Sequence, residues 1–178
     1  MMKKFLKQTK QKGVPDFWIV AMMHHFILAD VIKLHDVKAL ECLIDIKCCK
    51  LDNLNGFELD FIFDPERNLH FKKPVLTKTF YGEMERTIGT EIKWCTLLDE
   101  CCLTREYNIR RKVLKSKKRE SFFNLFNSTP RIDKPLYEGA IPRDYAIGLI
   151  IRDKFIPHAI SWYNGDEYED GKNVLKFI

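Results

Sequence analysis

The chain reads as an α+β domain in which helices are followed by antiparallel strands and then by helices again. Three observations predict this. Gly13-Val14-Pro15-Asp16-Phe17-Trp18 sets aromatic residues beside a helix start, and Glu120-Ser121-Phe122-Phe123-Asn124-Leu125-Phe126 does the same late in the chain. Between them, segments such as Phe57-Glu58-Leu59-Asp60-Phe61-Ile62-Phe63-Asp64 alternate apolar and polar residues with the period of a half-buried strand.

Taken in order, residues 3 to 12 form a basic lead-in that reads as a frayed helix or tail. Pro15 suits a first helical turn, where its missing N–H has no partner to lose. From Asp16 to Leu34, the residues Phe17, Val20, Ala21, Ile27, Leu28, Val31 and Ile32 recur at helical spacing, with a break expected at Asp30. Asp36 is placed to cap a short helix through Leu43. Strands are predicted at Ile44 to Leu51, Phe57 to Asp64, Pro74 to Tyr81 and Thr90 to Trp94. The first two are joined through the turn-forming residues Asp52 to Gly56. The segment from Arg105 to Arg119 mixes Tyr107, Ile109, Val113 and Leu114 with charges, and reads as either a projecting hairpin or a basic helix. Ser121 caps the next helix. A longer one runs from Pro142 to Ile156 with Tyr145, Leu149, Ile150 and Phe155 as its stripe. Pro157 starts or kinks a last helix carrying Ile160, Trp162 and Tyr163.

A chain of 178 residues forms one domain, or one domain with an appendage, and its 46% hydrophobic content is that of a globular protein. It has no apolar run of the roughly 18 residues that span a bilayer, so membrane partners are not expected, and Met1 to Lys12 is too polar for a secretory signal. The expectation is a soluble intracellular protein with reduced thiols. Its net charge of +5 is unevenly spread. Lys3, Lys4, Lys7, Lys10 and Lys12 supply +5, and the segment from Arg105 to Arg119 supplies +7. The remaining chain therefore carries −7: an acidic body with two basic appendages.

Cys42, Cys48, Cys49, Cys95, Cys101 and Cys102 include two adjacent pairs but no Cys-x-x-Cys, so no metal site is expected. His24 and His25 cannot both face one site on a helix, since adjacent residues diverge by about 100°. They read as partly exposed helical histidines. The nucleotide and nucleophile motifs built on glycine are missing, so neither an enzyme nor a cofactor is expected. Arg110, Arg111, Lys112, Lys115, Lys117, Lys118 and Arg119 have three readings: a nuclear-import signal, a nucleic-acid contact, or a solvated charged face. Scattered acids gain a function only where the fold gathers them to meet a cationic partner.

These residues resemble the nucleosome assembly protein family, which includes the SET subfamily. The resemblance is carried by the Gly13 to Trp18 and Glu120 to Phe126 segments and by Leu43-Ile44-Asp45-Ile46. Further carriers are Gly56 to Asp64, Val75 to Phe80, Gly89 to Trp94, Asp144-Tyr145-Ala146-Ile147-Gly148 and Ile156-Pro157-His158-Ala159. It runs from Gly13 to about Asp170. It implies an earmuff-shaped α+β domain with a four-stranded antiparallel sheet, following a long dimerisation helix and followed by an acidic tail. It also implies a histone chaperone that binds core histones on an acidic concave face without a cofactor or bond chemistry. The basic hairpin of several members serves nuclear import, which favours that reading here.

Where the resemblance expects the dimerisation helix there are only the 1–12 lead-in residues, and 171–178 is a short tail without the acidic run. The expected organisation is thus the lead-in, a histone-binding domain over 13–170, and that tail, with the dimerisation helix missing or truncated. Phe26 replaces an expected proline, and Cys95 to Thr104 matches the family poorly. Candidate histone contacts are Glu58, Asp60, Asp64, Glu91, Asp144 and Asp153, which strand alternation or helix polarity exposes. The implied partners are core histones, a nuclear import receptor and a second copy of the chain, in nucleus and cytoplasm. The rival readings are a nucleic-acid module built on residues 105–119, with direct nucleic-acid binding the less favoured, and a SET-like regulatory or inhibitory protein.

Overall fold

The computed structural model describes residues 13–51, 56–82, 86–95, 103–108, 115–129 and 142–166. The first helical pattern resolves into α1 (Phe17–His24) and α2 (Phe26–Val31). The break falls at His25 rather than Asp30. His25 is extended (φ −85°, ψ 110°), and its N–H still reaches the carbonyls of Ala21 and Met22. The cause is tertiary. Its ring is buried between Phe155 and Trp162, at centroid distances of 6.0 and 4.6 Å. His24 is exposed as expected, with Nδ1 2.7 Å from the Trp162 carbonyl, whereas His25 is not. Pro15 lies in the turn before α1. Asp16 takes the N-cap at φ 57° without capping the helix, and its carboxylate pairs with Arg67 at 3.2 Å.

Asp36 ends a 3-10 turn (Leu34–Asp36) that leads into α3 (Val37–Leu40). Its side chain does not cap α3. The carboxylate is fully buried and accepts three bonds, from Lys33 N (2.9 Å), Ser121 Oγ (2.6 Å) and Phe122 N (2.7 Å).

The sheet comprises β1 (Leu43–Lys50), β2 (Gly56–Phe63), β3 (Val75–Tyr81) and β4 (Arg86–Gly89), antiparallel and in sequence order. An α+β fold with a four-stranded antiparallel sheet is therefore present, but its fourth strand precedes the one read from the alternation at Thr90 to Trp94. The ladder with β3 ends at Lys78↔Gly89, where the Thr90 amide bonds the Thr77 carbonyl (2.8 Å) and the Thr77 amide bonds Thr90 Oγ1 (3.0 Å). Gly89 lies against the aromatic segment so closely that a Cβ there would sit 1.8 Å from the Phe126 carbonyl oxygen. Beyond it Ile92 and Trp94 pack against the core from a loop.

Alternation along β2 sends Phe57, Leu59, Phe61 and Phe63 inward, all at most 2% exposed. Each such side chain contributes about 1.5–3 kcal/mol of hydrophobic stabilisation. Ser121 caps the following turn as expected, accepting from Phe123 N at 3.1 Å, although that turn (Phe122–Phe126) is 3-10 rather than α. Phe122 and Phe126 pack edge-on against Phe61, while Phe123 meets Phe71 and Trp94. The helix expected from Pro142 to Ile156 is regular only over α4 (Arg143–Ile150). A π turn (Ile151–Phe155) and a 3-10 turn (Ile156–His158) follow before α5 (Ala159–Asn164). Pro157 has no N–H to continue the i→i−4 ladder, which accounts for the irregularity. The α1 and α5 helices pack together, with Phe17 stacked on Tyr163 at 4.9 Å. The basic segment is a hairpin, β5 (Arg105–Asn108) with β6 (Lys115–Lys118), which decides between its two sequence readings. Among the described residues no helix is long and apolar enough to cross a membrane.

Candidate functional site: an acidic sheet face and a basic hairpin

The alternation that buries the β2 rings turns Glu58 and Asp60 to the opposite face of the sheet. There they lie across from Thr79 and Thr77 of β3. The Thr79 hydroxyl donates to Glu58 at 2.9 Å and the Thr77 hydroxyl to Asp60 at 2.6 Å. A neutral donor orders a carboxylate without cancelling its charge. Among the described residues neither acid forms an ion pair. Asp45, opposite Ile62, lies on the same face. Reading β1 with the alternation used for β2 would have found it, but for the bulge between Leu43 and Asp45.

Glu91 is exposed just past β4, without a hydrogen bond or ion pair among the described residues. It edges a recess of about 380 Å³ walled by Ile92, Trp94 and Phe126. Asp64 follows β2 directly. It accepts from Glu66 N at 2.9 Å, and its own amide donates to the Cys42 carbonyl. The remaining two candidates are matched by cations. Asp153 takes two bonds from Arg152, at 2.6 and 2.7 Å, while that guanidinium covers the Phe57 ring at 4.4 Å.

Asp144 meets Lys78 at 3.0 Å and accepts from the hydroxyls of Thr87 and Thr129, both at 2.9 Å. Burial alone would raise its carboxyl pKa. The hydrogen bond and charge of Lys78, with the two hydroxyls, overcome this and hold it below the ordinary value. Lys78 is itself fully buried, and desolvation pulls its pKa down against the opposing pull of Asp144. The sequence carried a signal for this pair, because alternation in β3 puts Lys78 on the inner face with Leu76 and Phe80. An inward lysine requires an anion.

The fold thus brings Glu58, Asp60 and the unpredicted Asp45 to one face, with Lys47 opposite Asp60, places Glu91 near the far edge of the sheet, and gives Asp144 and Asp153 basic partners. On the hairpin, Lys117, Lys118 and Arg119 are exposed and Lys115 lies in β6. Arg110, Arg111 and Lys112 fall outside the described residues, as do Cys101, Cys102 and the predicted turn at residues 52–55. Among the described residues no cluster of three or more His, Cys, Asp or Glu could hold a metal. Cys42 is buried, which pushes its thiol pKa up, while Cys48 and Cys49 are exposed on the edge strand.

The sequence profile described as Nucleosome assembly protein (NAP) matches residues 2–166. The chain belongs to the nucleosome assembly protein family. It is 39% identical to nucleosome assembly protein 1;3 of Oryza sativa subsp. indica over 92% of its own length and 60% of that relative's. With nucleosome assembly protein 1;2 of Nicotiana tabacum the identity is again 39%, over 92% of this chain and 48% of the relative. The chain therefore spans less than two thirds of these relatives. Among solved structures, nucleosome assembly protein 1 from Plasmodium knowlesi superposes with a TM-score of 0.73 at 30% identity, covering 86% of this chain and 69% of the other. The Vps75 histone chaperone shares the fold at 18% identity and a TM-score of 0.54, covering 85% and 76%. The NAP sheet and its flanking helices are thus the scaffold on which both charged surfaces stand.

Proposed function

We propose that this NAP-family chain is a histone chaperone domain that binds core histones and keeps them from non-productive contacts with DNA. The observation that carries this reading is the family match over residues 2–166. The name of the Vps75 histone chaperone, which has the same fold, agrees with it. The chemistry is competition. Carboxylates offered to histone lysines and arginines make loose histone–DNA contacts less favourable, while nucleosomes with more contacts persist. No bond is made or broken, and no cofactor takes part.

Glu58, Asp60 and Glu91 are the foremost contacts, because none of them forms an ion pair among the described residues, although Lys47 stands opposite Asp60 on the same face. Asp64 extends the set. Asp144 and Asp153 keep 22% and 49% of their side chains exposed, so each can offer an outer oxygen to a partner. The exposed Lys117, Lys118 and Arg119 support a second role for the hairpin, as an import signal read by a nuclear import receptor, so the protein would pass between cytoplasm and nucleus. Pairing with a second copy of the chain belongs to the same proposal.

The test is a titration of the protein into fluorescent core-histone dimers from low to above physiological ionic strength. Saturable binding that persists near physiological salt is the expected result. Loss of histone binding there, with tight retention of duplex DNA, would sink the proposal and turn the hairpin into a nucleic-acid site.

A further inference from the structure

The two edges of the sheet are finished differently. At β4 the edge is closed, because Thr87 and Thr129 exchange backbone bonds at 3.2 and 2.9 Å and the Gly89 amide bonds Ser128 Oγ at 3.1 Å. At β1 it is closed only near its start, where Trp18 Nε1 donates to the Ile44 carbonyl at 3.0 Å. The Leu51 amide bonds the Gly56 carbonyl just past the Lys50↔Phe57 pair, and this sets the phase of the ladder. Asp45, Lys47 and Cys49 turn their N–H and C=O groups to β2, whereas Ile46, Cys48 and Lys50 turn theirs away from it. Among the described residues nothing bonds these outward groups. Lys47, Cys48, Cys49 and Lys50 are all exposed.

An open run of strand accepts another strand, and the charges beside it select which. On the outer face Lys47 stands opposite Asp60, and Cys49 opposite Glu58. Neither Lys47 nor Glu58 forms an ion pair among the described residues. An antiparallel second copy of β1, with Cys48 facing Cys48, sets Lys47 opposite Cys49 and Ile46 opposite Lys50. No lysine then faces a lysine. Each Lys47 extends over the small Cys49 towards Glu58 of the second copy, about 10 Å away across two strand spacings. Sliding the register one way puts Lys47 against Lys47 and calls on the Ile44 carbonyl, which Trp18 already occupies. Sliding it the other way sets Lys47 opposite Leu51, away from Glu58.

We propose that β1 is a self-association edge, at which two copies pair antiparallel about Cys48 over Ile46 to Lys50 and join their sheets and acidic faces. About six backbone hydrogen bonds form. So short a contact lies below the area of a permanent interface, and the pairing is weak and concentration-dependent. The inference rests on the pairing with a second copy proposed above and names the surface that meets, but it needs no histone.

Sedimentation velocity in reducing buffer at physiological ionic strength, over about 10 μM to about 1 mM protein, reads the pairing. The sedimentation coefficient of the native protein should rise with concentration. Cys48→Pro deletes an N–H that points away from β2, so the sheet keeps its own ladder while association weakens at least about tenfold. Cys48→Ser keeps the backbone and should associate like the native protein. Lys47→Glu, at an exposed position, should weaken association about three- to tenfold through repulsion from Glu58 and Asp60. Unchanged circular dichroism spectra confirm that the variants fold. A native protein that associates but is indifferent to Cys48→Pro or to Lys47→Glu overturns the edge and moves the pairing to another surface. One that stays monomeric across the range overturns both the edge and the pairing. Loss of association in Cys48→Ser assigns it to the thiol and overturns the backbone pairing.

Discussion

The buried carboxylate of Asp36 accepts the hydroxyl proton of Ser121 at 2.6 Å, joining two parts of the chain 85 residues apart. The same carboxylate takes the Phe122 amide at 2.7 Å and the Lys33 amide at 2.9 Å. One side chain thus fixes both the turn ahead of α3 and the start of the aromatic segment that seals the sheet. Asp36→Ala leaves two backbone amides and a hydroxyl buried without their acceptor. We expect a loss of about 2–4 kcal/mol in urea unfolding. Ser121→Ala, which removes one donor and one cap, should lose about 1–2 kcal/mol.

The Lys78–Asp144 pair gives stability a pH dependence. Asp144 has its pKa held below the ordinary 3.8, so it contributes stability above that value. The contribution is lost as pH falls through the lower, folded-state value. Urea midpoints measured between about pH 5 and pH 2 should decline more steeply in the native protein than in Asp144→Asn. Lys78→Met leaves Asp144 without its cation and should cost about 3–5 kcal/mol at neutral pH. Parallel pH profiles for native protein and Asp144→Asn would contradict the assignment.

His25 should act in a different range. Burial lowers its pKa below 6.5, with its own backbone hydrogen bond opposing only in part. Below 6.5 the unfolded chain binds more protons at this site than the folded one, so stability falls as pH falls through that window. His25→Phe should flatten the decline in Tm between about pH 7 and 5. The slope should not vanish, because burial lowers the pKa of His70 in the same direction.

Two glycines test how closely the layers approach. A Cβ on Gly148 would lie 2.3 Å from the Phe80 ring, a side chain that can shift, whereas one on Gly89 would strike the Phe126 carbonyl oxygen. Gly148→Ala should therefore cost about 1–3 kcal/mol, and Gly89→Ala more, with displacement of the aromatic segment. Denaturation curves of the two variants give the order directly.

On the sheet face, Glu58→Gln with Asp60→Asn keeps shape and hydrogen bonding while removing two charges. Histone binding should weaken about three- to tenfold, most visibly in its salt dependence, with unfolding changed by no more than about 0.5 kcal/mol. Glutamate substitutions at Lys117, Lys118 and Arg119 should leave histone affinity intact and abolish any binding of nucleic acid.

How much of this was legible in the sequence follows the range of the interaction involved. The β2 strand declares itself, because Phe57, Leu59, Phe61 and Phe63 alternate with polar residues, and the outward aim of Glu58 and Asp60 comes from the same period. Ser121 is equally local, since its hydroxyl reaches Phe123 only two residues on. The end of β4 is not local. Thr90 to Trp94 alternates as well as any strand here, but Thr77 and the approach of Phe126 to Gly89 end the ladder first. The break at His25 depends on Trp162 and Phe155, far away in sequence. Helix polarity identified Asp144 and Asp153 as polar positions, but it carries no information about Lys78 or about how Arg152 folds back on its neighbour.

The hydroxyls of Thr77 and Thr79 have a consequence for turnover. Because they, and not cations, hold Asp60 and Glu58 in place, a basic partner arriving at this face displaces no internal ion pair, and its departure leaves none to re-form. In the proposed histone role, capture and release at this face would then leave the ion pairs among the described residues as they are.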